Sequence, residues 1–203
     1  INLCHDEYEI REYERKTALK LEDKPFSFPQ DVREGDAFIV FSKKSVLNIA
    51  GRLEENGIKP SAIYGSLPPE IRRRQMTLFN EKKTQVVVST DAIGMGLNLP
   101  VRRIVFLEVE KFDGVSRRPL VISEIKQIAG RAGRFGLYDT GYVTALGQKN
   151  LNYLKNTLNI PEQDIDIVSL GFPQVLLTMD APLDAIIKLW HEAEPSAPFR
   201  KIN

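Results

Sequence analysis

The stretch QIAGRAGRFG, which begins at Gln127, sets two arginines among glycines. Gln127, Arg131 and Arg134 are spaced four and three residues apart, which predicts that one face of a helix carries all three. Two guanidinium groups on one face can fork around phosphate oxygens, a geometry that lysine cannot reproduce. Gly130 and Gly133 would keep this part of the helix free of side chains, so that a phosphate or another backbone can approach closely. The stretch therefore predicts a phosphate-binding element; the alternative is a solvated arginine face with packing glycines.

A second stretch, STDAIGMGLNLP, directly follows an apolar run that is typical of a buried strand. Thr90 and Asp91 then fall at the carboxyl end of that strand, where ligands bind in open α/β sheets. Thr90 offers a hydroxyl for a phosphate, and Asp91 offers a carboxylate for a ribose hydroxyl or for an arginine. Gly94 and Gly96 supply backbone N–H groups that can meet an oxyanion or a ribose. The alternative is that the Ser-Thr-Asp run only caps a helix.

Strands alternate with helices along the middle of the chain. Short apolar runs predict five strands, at 37–41, 61–65, 84–90, 102–109 and 140–146. Amphipathic stretches predict helices at 42–57, at 67–80 and from an N-cap at Ser123 onward. The pair Asp113-Gly114 predicts a hairpin ahead of the last of these helices. The alternation predicts an α/β fold with a mostly parallel sheet and helices on both faces.

Three segments follow from these elements. Residues 1–35 are predicted to be an extended lead-in, residues 36–150 the α/β domain, and residues 151–203 the start of a helical extension. Helices in the last segment are expected within NLNYLKNTL, near 161–168 and within APLDAIIKLWHEA. The chain opens on isoleucine rather than methionine, which suggests a fragment of a longer protein.

The composition is ordinary for a globular protein, with 42% hydrophobic and 27% charged residues and a net charge of +1. No apolar run approaches the roughly 18 residues of a membrane span. The single cysteine excludes an internal disulfide, and two isolated histidines do not indicate a metal site. Residues 101–134 hold eight Lys/Arg against four Asp/Glu, whereas residues 151–203 hold four against seven. This asymmetry indicates a polyanion partner or, alternatively, only a solvated charged surface.

Together the motifs resemble a known family. FIVFSKKS, STDAIGMGLNLP and QIAGRAGR resemble motifs IV, V and VI of the second RecA-like domain of superfamily-two nucleic-acid helicases, and YGSLPPEIRRRQMTLFN resembles the segment after motif IV. Within that superfamily the stretches are most similar to the RNA helicases of the mitochondrial degradosome, the suppressor-of-Var type, and to their bacterial relatives. The resemblance implies a RecA-like three-layer fold, a parallel sheet with helices on both faces, followed by a short helical extension.

The resemblance also implies roles at an ATP site. Arg134 matches an arginine finger that reaches the γ-phosphate, Arg131 lies beside it, and Gln127 matches a glutamine that positions the attacking water or the γ-phosphate. Five further residues match positions near the nucleotide: Asp91, Gly94, Gly96, Asn98 and Gly130. Many relatives have aspartate where this chain has Asn98.

Nucleic-acid contacts are implied in the same way. Thr90 matches a motif V threonine that touches a backbone phosphate of the bound strand. Further backbone contacts are expected from Ser42 and Lys43 in motif IV and from Gly65, Ser66 and Arg72 after it. For Arg72 and its two arginine neighbours, a solvated helix face is the alternative.

No P-loop and no DExH or DEAD tetrapeptide occurs in the sequence. In the family both belong to a first RecA-like domain, so the Mg²⁺ ligands are expected there and this chain alone is predicted not to hydrolyse ATP. The expected partners are ATP, single-stranded RNA, the upstream RecA-like domain of the same chain and a 3′-to-5′ exoribonuclease, with no membrane. The expected location is cytoplasmic for a bacterial protein and the mitochondrial matrix for a eukaryotic one. The alternatives are a DNA helicase or translocase, a non-catalytic nucleic-acid-binding module and an unrelated phosphate-binding domain.

Overall fold

A computed structural model of the protein describes residues 9, 11, 15–94, 97–161 and 167–202. The chain divides into two compact units, a large one of residues 13–162 and a small one that combines residues 1–12 with 163–203. Gly96, one of the predicted nucleotide-binding residues, lies outside the described residues.

Eight strands lie in the described residues of the large unit. They are β1 (Ala18–Leu21), β2 (Asp36–Ile39), β3 (Pro60–Ile63), β4 (Val86–Ser89), β5 (Arg103–Phe106), β6 (Glu110–Phe112), β7 (Arg117–Pro119) and β8 (Thr140–Ala145). Six of them form a sheet in the order β1-β8-β5-β2-β4-β3, in which every described pair is parallel. The inner strands β2, β4 and β5 are buried along their whole length, which explains their continuous apolar runs.

Four helices cover the sheet: α1 (Lys43–Glu55), α2 (Pro69–Asn80), α3 (Ile122–Ala129) and α4 (Gln148–Leu158). Two core clusters form because successive side chains of a strand point to opposite faces. Ala37 and Ile39 of β2 belong to the cluster that contains residues of α2, α3 and α4, whereas Phe38 packs in the cluster that contains residues of α1. The predicted α/β fold with helices on both faces is confirmed.

All five predicted strands are present, each shorter than its apolar run. The hairpin is also confirmed, since β6 and β7 pair antiparallel and Asp113 Oδ1 accepts hydrogen bonds from the backbone N–H groups of Val115 and Ser116. The domain boundary predicted at residue 150 falls inside α4. Leu151 and Leu154 of α4 are buried in the same core cluster as α3, so this helix packs as part of the large unit.

The parallel arrangement brings the carboxyl ends of the strands to one edge. Ile39, at the end of β2, is in register with Ser89 of β4 and with Phe106 of β5, and Ser89 is in register with Ile63 of β3. The residues that directly follow these strands therefore lie along the same edge of the sheet.

The small unit holds a two-stranded parallel sheet of β9 (Val168–Leu170) and β10 (Phe199–Lys201) together with helix α5 (Leu183–Glu192). Helix α5 was predicted and is confirmed. The helix expected near 161–168 falls mostly on residues 162–166, outside the described residues, and Val168 begins a strand instead. None of the helices described in either unit is long and apolar enough to cross a membrane.

Candidate functional site

The two stretches that the sequence singles out meet at the backbone of Gly94. After β4 the chain makes a short 3-10 turn over Asp91–Gly94. The Gly94 carbonyl accepts a hydrogen bond from Gln127 Nε2 at 3.4 Å and a second one from Arg131 Nη2. Gly94 is buried, and a Cβ built on it would lie 3.3 Å from Gln127 Cγ. A side chain at this position would press on Gln127, which would have to shift by a few tenths of an ångström.

Arg131 and Arg134 do not lie on a helix, so the prediction of a single helical face for all three polar residues is wrong. Helix α3 ends at Ala129, and only Gln127 of the three belongs to it. Residues 130–134, here called the arginine loop, turn away because Gly133 has a φ of +76°. A Cβ on Gly133 would lie 2.5 Å from Thr17 Cγ2 and 2.7 Å from the Gly141 backbone nitrogen.

Gly133 thus allows a close backbone approach, one of the two purposes that the sequence predicts for the two glycines. The approaching backbone is that of β8, at Gly141. Gly130 follows α3 in a right-handed conformation and donates its N–H to the Lys126 carbonyl at 2.8 Å.

Arg134 is half-buried at the end of the arginine loop. Its backbone carbonyl accepts hydrogen bonds from Leu137 N–H at 3.0 Å and Tyr138 N–H at 2.9 Å, which fixes the turn that follows. Its guanidinium group has no hydrogen-bond or ion-pair partner among the described residues. Arg131 donates to Gly94, whereas no side-chain donor of Arg134 is used within the described residues.

Thr90 and Asp91 are at the carboxyl end of β4, as predicted, but both side chains already have partners. Thr90 is buried, and its Oγ1 accepts a hydrogen bond from Ala92 N–H at 3.3 Å. The alternative that this run caps a helix is therefore partly correct, because Thr90 caps the short 3-10 turn that follows it. Asp91 Oδ2 lies 3.2 Å from Nζ of Lys111 on the hairpin strand β6, a residue that sequence reasoning missed. Asn98 is exposed.

Helix α3 begins at Ile122 with Val121 as its N-cap, so the N-cap predicted at Ser123 is wrong. Glu124 carries out the capping, because its Oε2 accepts a hydrogen bond from Val121 N–H at 2.9 Å. The same carboxylate binds Arg118 through two 3.0 Å hydrogen bonds and Lys111 at 2.7 Å. Glu124 therefore ties the hairpin to the start of α3.

The contact with Arg118 lowers the pKa of Glu124 from its ordinary 4.5 to about 2, because its hydrogen bonds together with those from Lys111 and Val121 outweigh the desolvation of the carboxylate. A depressed pKa stabilises the folded chain above pH 4.5, and the contribution is lost as the pH falls toward 2. We expect Glu124→Gln to lower the free energy of unfolding at pH 7. The difference in unfolding free energy between the variant and wild type should shrink as the pH falls from 4.5 to 2. Urea denaturation across that range measures this.

Glu54→Gln, on the exposed face of α1, is the matched control for the acid series. It removes one carboxylate without touching the hairpin or α3. A constant gap between Glu124→Gln and wild type at every pH would contradict the stabilising role of the ionised carboxylate.

All of the predicted nucleic-acid residues except Arg72, which lies on α2, follow one of three neighbouring strands, β2, β4 and β3, at their carboxyl edge. Ser42 follows β2 and caps α1, since its Oγ accepts a hydrogen bond from Ser45 N–H at 2.9 Å. Lys43 Nζ lies 5.5 Å from the ring centroid of Tyr64, which follows β3. Ser42 and Lys43 are both exposed. The fold therefore brings motif IV next to the Thr90 position.

Gly65 and Ser66 form an exposed loop after β3, and the Arg72 side chain bonds to the backbone of this loop. Arg72 Nη2 donates to the Gly65 carbonyl at 2.8 Å and to the Leu67 carbonyl at 3.3 Å. Its Nε is buried and has no hydrogen-bond partner among the described residues. Arg72 thus shapes this loop rather than lying free on a solvated helix face.

Among the described residues no group of three or more His, Cys, Asp or Glu side chains could hold a metal ion. The site contains the Arg134 guanidinium, which has no partner in the described part of the chain, together with a backbone junction at Gly94 and exposed polar groups along one sheet edge. Such groups can bind phosphates without a metal of their own.

Residues 21–136 match the family of helicase conserved C-terminal domains. Over 169 residues the chain is 43% identical to the mitochondrial ATP-dependent RNA helicase SUV3 of Candida albicans, which covers 81% of this chain and 23% of the relative. It is 41% identical to the mitochondrial DExH-box ATP-dependent RNA helicase DExH16 of Arabidopsis thaliana, over 85% of this chain and 31% of the relative. The chain thus spans about a quarter to a third of the length of these curated relatives.

Solved structures show the same fold at low sequence identity. The E. coli DEAD-box protein SrmB, in a crystal with the regulator of ribonuclease activity A, matches with a TM-score of 0.51 and 19% identity, over 64% of this chain and 71% of that chain. The C-terminal domain of the DEAD-box protein Dbp5 matches with a TM-score of 0.50 and 17% identity, over 92% of this chain and 88% of that one.

Proposed function

The chain belongs to the family of helicase conserved C-terminal domains, and from this premise we propose that it is the second motor domain of an ATP-dependent RNA helicase. Relatives at about 40% identity are named ATP-dependent RNA helicases. The observation that carries the proposal is the arginine loop, which bonds Arg131 to Gly94 and leaves the Arg134 guanidinium without a partner in the described part of the chain.

The ATP site lies between this domain and an upstream RecA-like domain that supplies the P-loop and the Mg²⁺ ligands. Arg134 is the finger that meets the γ-phosphate, Arg131 stands beside it, and Gln127 orients the attacking water. A cation at the γ-phosphate neutralises the charge that develops as the phosphoryl group transfers. Five residues that match nucleotide positions of the family are proposed to contact the nucleotide: Asp91, Gly94, Gly96, Asn98 and Gly130.

The carboxyl edge of β2, β4 and β3 binds the backbone of single-stranded RNA. Ser42, Lys43 and Ser66 are exposed there and can meet phosphate oxygens directly. Thr90, Gly65 and Arg72 contribute mainly by shaping the turns that present these groups, in keeping with their present hydrogen bonds. Phosphate contacts carry no sequence information, which suits a motor that steps along any strand.

ATP closes the two domains around the nucleotide and the strand, and hydrolysis releases them. Arg134 engages only in the closed state, so nucleotide turnover and domain movement are coupled. The mitochondrial names of the relatives favour the mitochondrial matrix as the location. A 3′-to-5′ exoribonuclease is the expected protein partner.

The test compares this chain alone with the parent protein that contains the upstream domain. We expect no ATP hydrolysis from the chain alone and hydrolysis by the parent protein that single-stranded RNA stimulates more strongly than single-stranded DNA. Stimulation by DNA alone would favour a DNA translocase. Robust hydrolysis by the isolated chain would contradict the shared site, and a parent protein without ATPase would leave a non-catalytic binding module.

A further inference from the structure

Arg15, in the segment that leads into β1, makes three hydrogen bonds to backbone carbonyls. Its Nε donates to the Thr17 carbonyl at 2.6 Å and its Nη1 to the Gly130 carbonyl at 2.9 Å. Its Nη2 donates to the Ala132 carbonyl. Two of these acceptors belong to the arginine loop, more than 100 residues further along the chain.

The two residues after Arg15 also touch the arginine loop or its immediate continuation. Lys16 Nζ lies 4.9 Å from the centroid of the Phe135 ring. The Thr17 methyl group occupies the space where a side chain on Gly133 would otherwise stand, 2.5 Å from the position of its Cβ. Three consecutive lead-in residues therefore contact a loop whose first residues bond back to α3 and whose carbonyls at 130 and 132 are bound by Arg15.

The chemistry of Arg15 suits this task. A guanidinium group is planar and presents five N–H donors in a rigid fork, so it can serve several carbonyls at fixed angles. Within the described residues no carboxylate pairs with Arg15, and every acceptor that it meets is a backbone carbonyl. Its contacts therefore specify the path of the backbone rather than form an ion pair.

We propose that Arg15 is a positioning residue that fixes the arginine loop and, through it, the direction in which Arg134 points. This inference rests on the proposed function, since the direction of Arg134 matters only if it meets a phosphate. Arg15 itself does not touch the nucleotide. Because the lead-in precedes β1, Arg15 also links the arginine loop to the segment of chain that comes from the proposed upstream domain.

The first test is steady-state ATPase of the parent protein carrying Arg15→Lys. Lysine keeps the charge, but its donors all lie on one nitrogen and cannot reproduce the planar fork whose three nitrogens each bind a separate carbonyl. We expect kcat to fall about 10²-fold, the loss that a displacement of about 1 Å can cause. The KM for ATP and the Kd for single-stranded RNA stay close to wild type. Lys20→Met, an exposed change on β1, is the control and leaves all three constants unchanged.

A second measurement separates positioning from general weakening of the fold. In the Arg134→Ala background, single-turnover hydrolysis should be no slower with Arg15→Lys than without it, because Arg15 acts through Arg134. In the Arg15→Lys single variant, amide hydrogen exchange should rise in residues 130–133 and stay unchanged in β4 and β5, which are buried along their length.

The outcomes are distinguishable. A wild-type parent protein with no RNA-stimulated ATPase overturns the proposed function, and the exchange rates of the arginine loop then decide whether Arg15 fastens it. An active wild type with an unaltered Arg15→Lys variant overturns the role of Arg15 alone. A further loss of rate in the Arg134→Ala background, or a uniform rise in exchange, likewise overturns it in favour of a merely structural arginine.

Discussion

Replacing Arg134 by alanine in the parent protein is expected to lower RNA-stimulated ATP turnover by about 10³- to 10⁵-fold, the range measured for arginine fingers. The effect is large because a guanidinium that meets the γ-phosphate acts mainly in the transition state, where charge develops on the phosphoryl oxygens. The KM for ATP and the Kd for RNA should change little. Steady-state and single-turnover hydrolysis measure the loss.

The same variant should keep the stability of wild type, because no described residue bonds to the Arg134 side chain. Arg102→Ala is the matched control: it removes an exposed arginine at the amino end of β5, away from the carboxyl edge. A drop in melting temperature that accompanies the loss of turnover would indicate a structural arginine. Unchanged turnover would show that Arg134 does not act as the arginine finger of the proposed mechanism.

The fold and the edge that carries the site could be predicted because both depend on local patterns. Continuous apolar runs such as 37–41 are typical of strands buried on both faces, and the helices between them require parallel pairing. Parallel pairing then places Ser42, Gly65 and Thr90 at one edge, since each follows a strand. The order of strands and helices alone is sufficient to place these three residues together.

The path of the arginine loop could not be predicted in the same way. The spacing of Gln127, Arg131 and Arg134 fits a helical face, but helical spacing does not show where a helix ends. The helix ends at Ala129, and the direction of the chain after it depends on Gly133, which has a positive φ and packs against Gly141 of β8. A tertiary contact therefore overrode the local pattern.

Arg15 and Lys111 were missed for a related reason. Arg15 is separated from Gly130 by 115 residues, and its acceptors are backbone carbonyls, which leave no mark in the sequence. Lys111 is one of many charged residues in a basic segment, and its pairing with Asp91 and Glu124 depends on how the hairpin folds over α3. Such pairs become visible only when the strands are assembled.

Gly133→Ala is expected to destabilise the chain by roughly 2–5 kcal/mol. About 1–2 kcal/mol comes from placing a Cβ in a left-handed conformation, and about 1–3 kcal/mol comes from overpacking. The overpacking arises because the new methyl group would lie 2.5 Å from Thr17 Cγ2 and 2.7 Å from the Gly141 nitrogen, so Thr17 or β8 must shift. Urea denaturation of the chain measures the loss.

Gly136→Ala provides the matched control three residues away. Gly136 has a φ of +83°, close to that of Gly133, but nothing lies within 4 Å of a Cβ built on it. The Gly136→Ala substitution should therefore lower the free energy of unfolding only by the cost of the left-handed backbone conformation, about 1–2 kcal/mol. Equal losses in the two variants would mean that the loop backbone moves aside without strain. A larger loss for Gly133→Ala shows that the arginine loop is held by close packing against Thr17 and β8, which is the rigidity that a finger aimed at a phosphate requires.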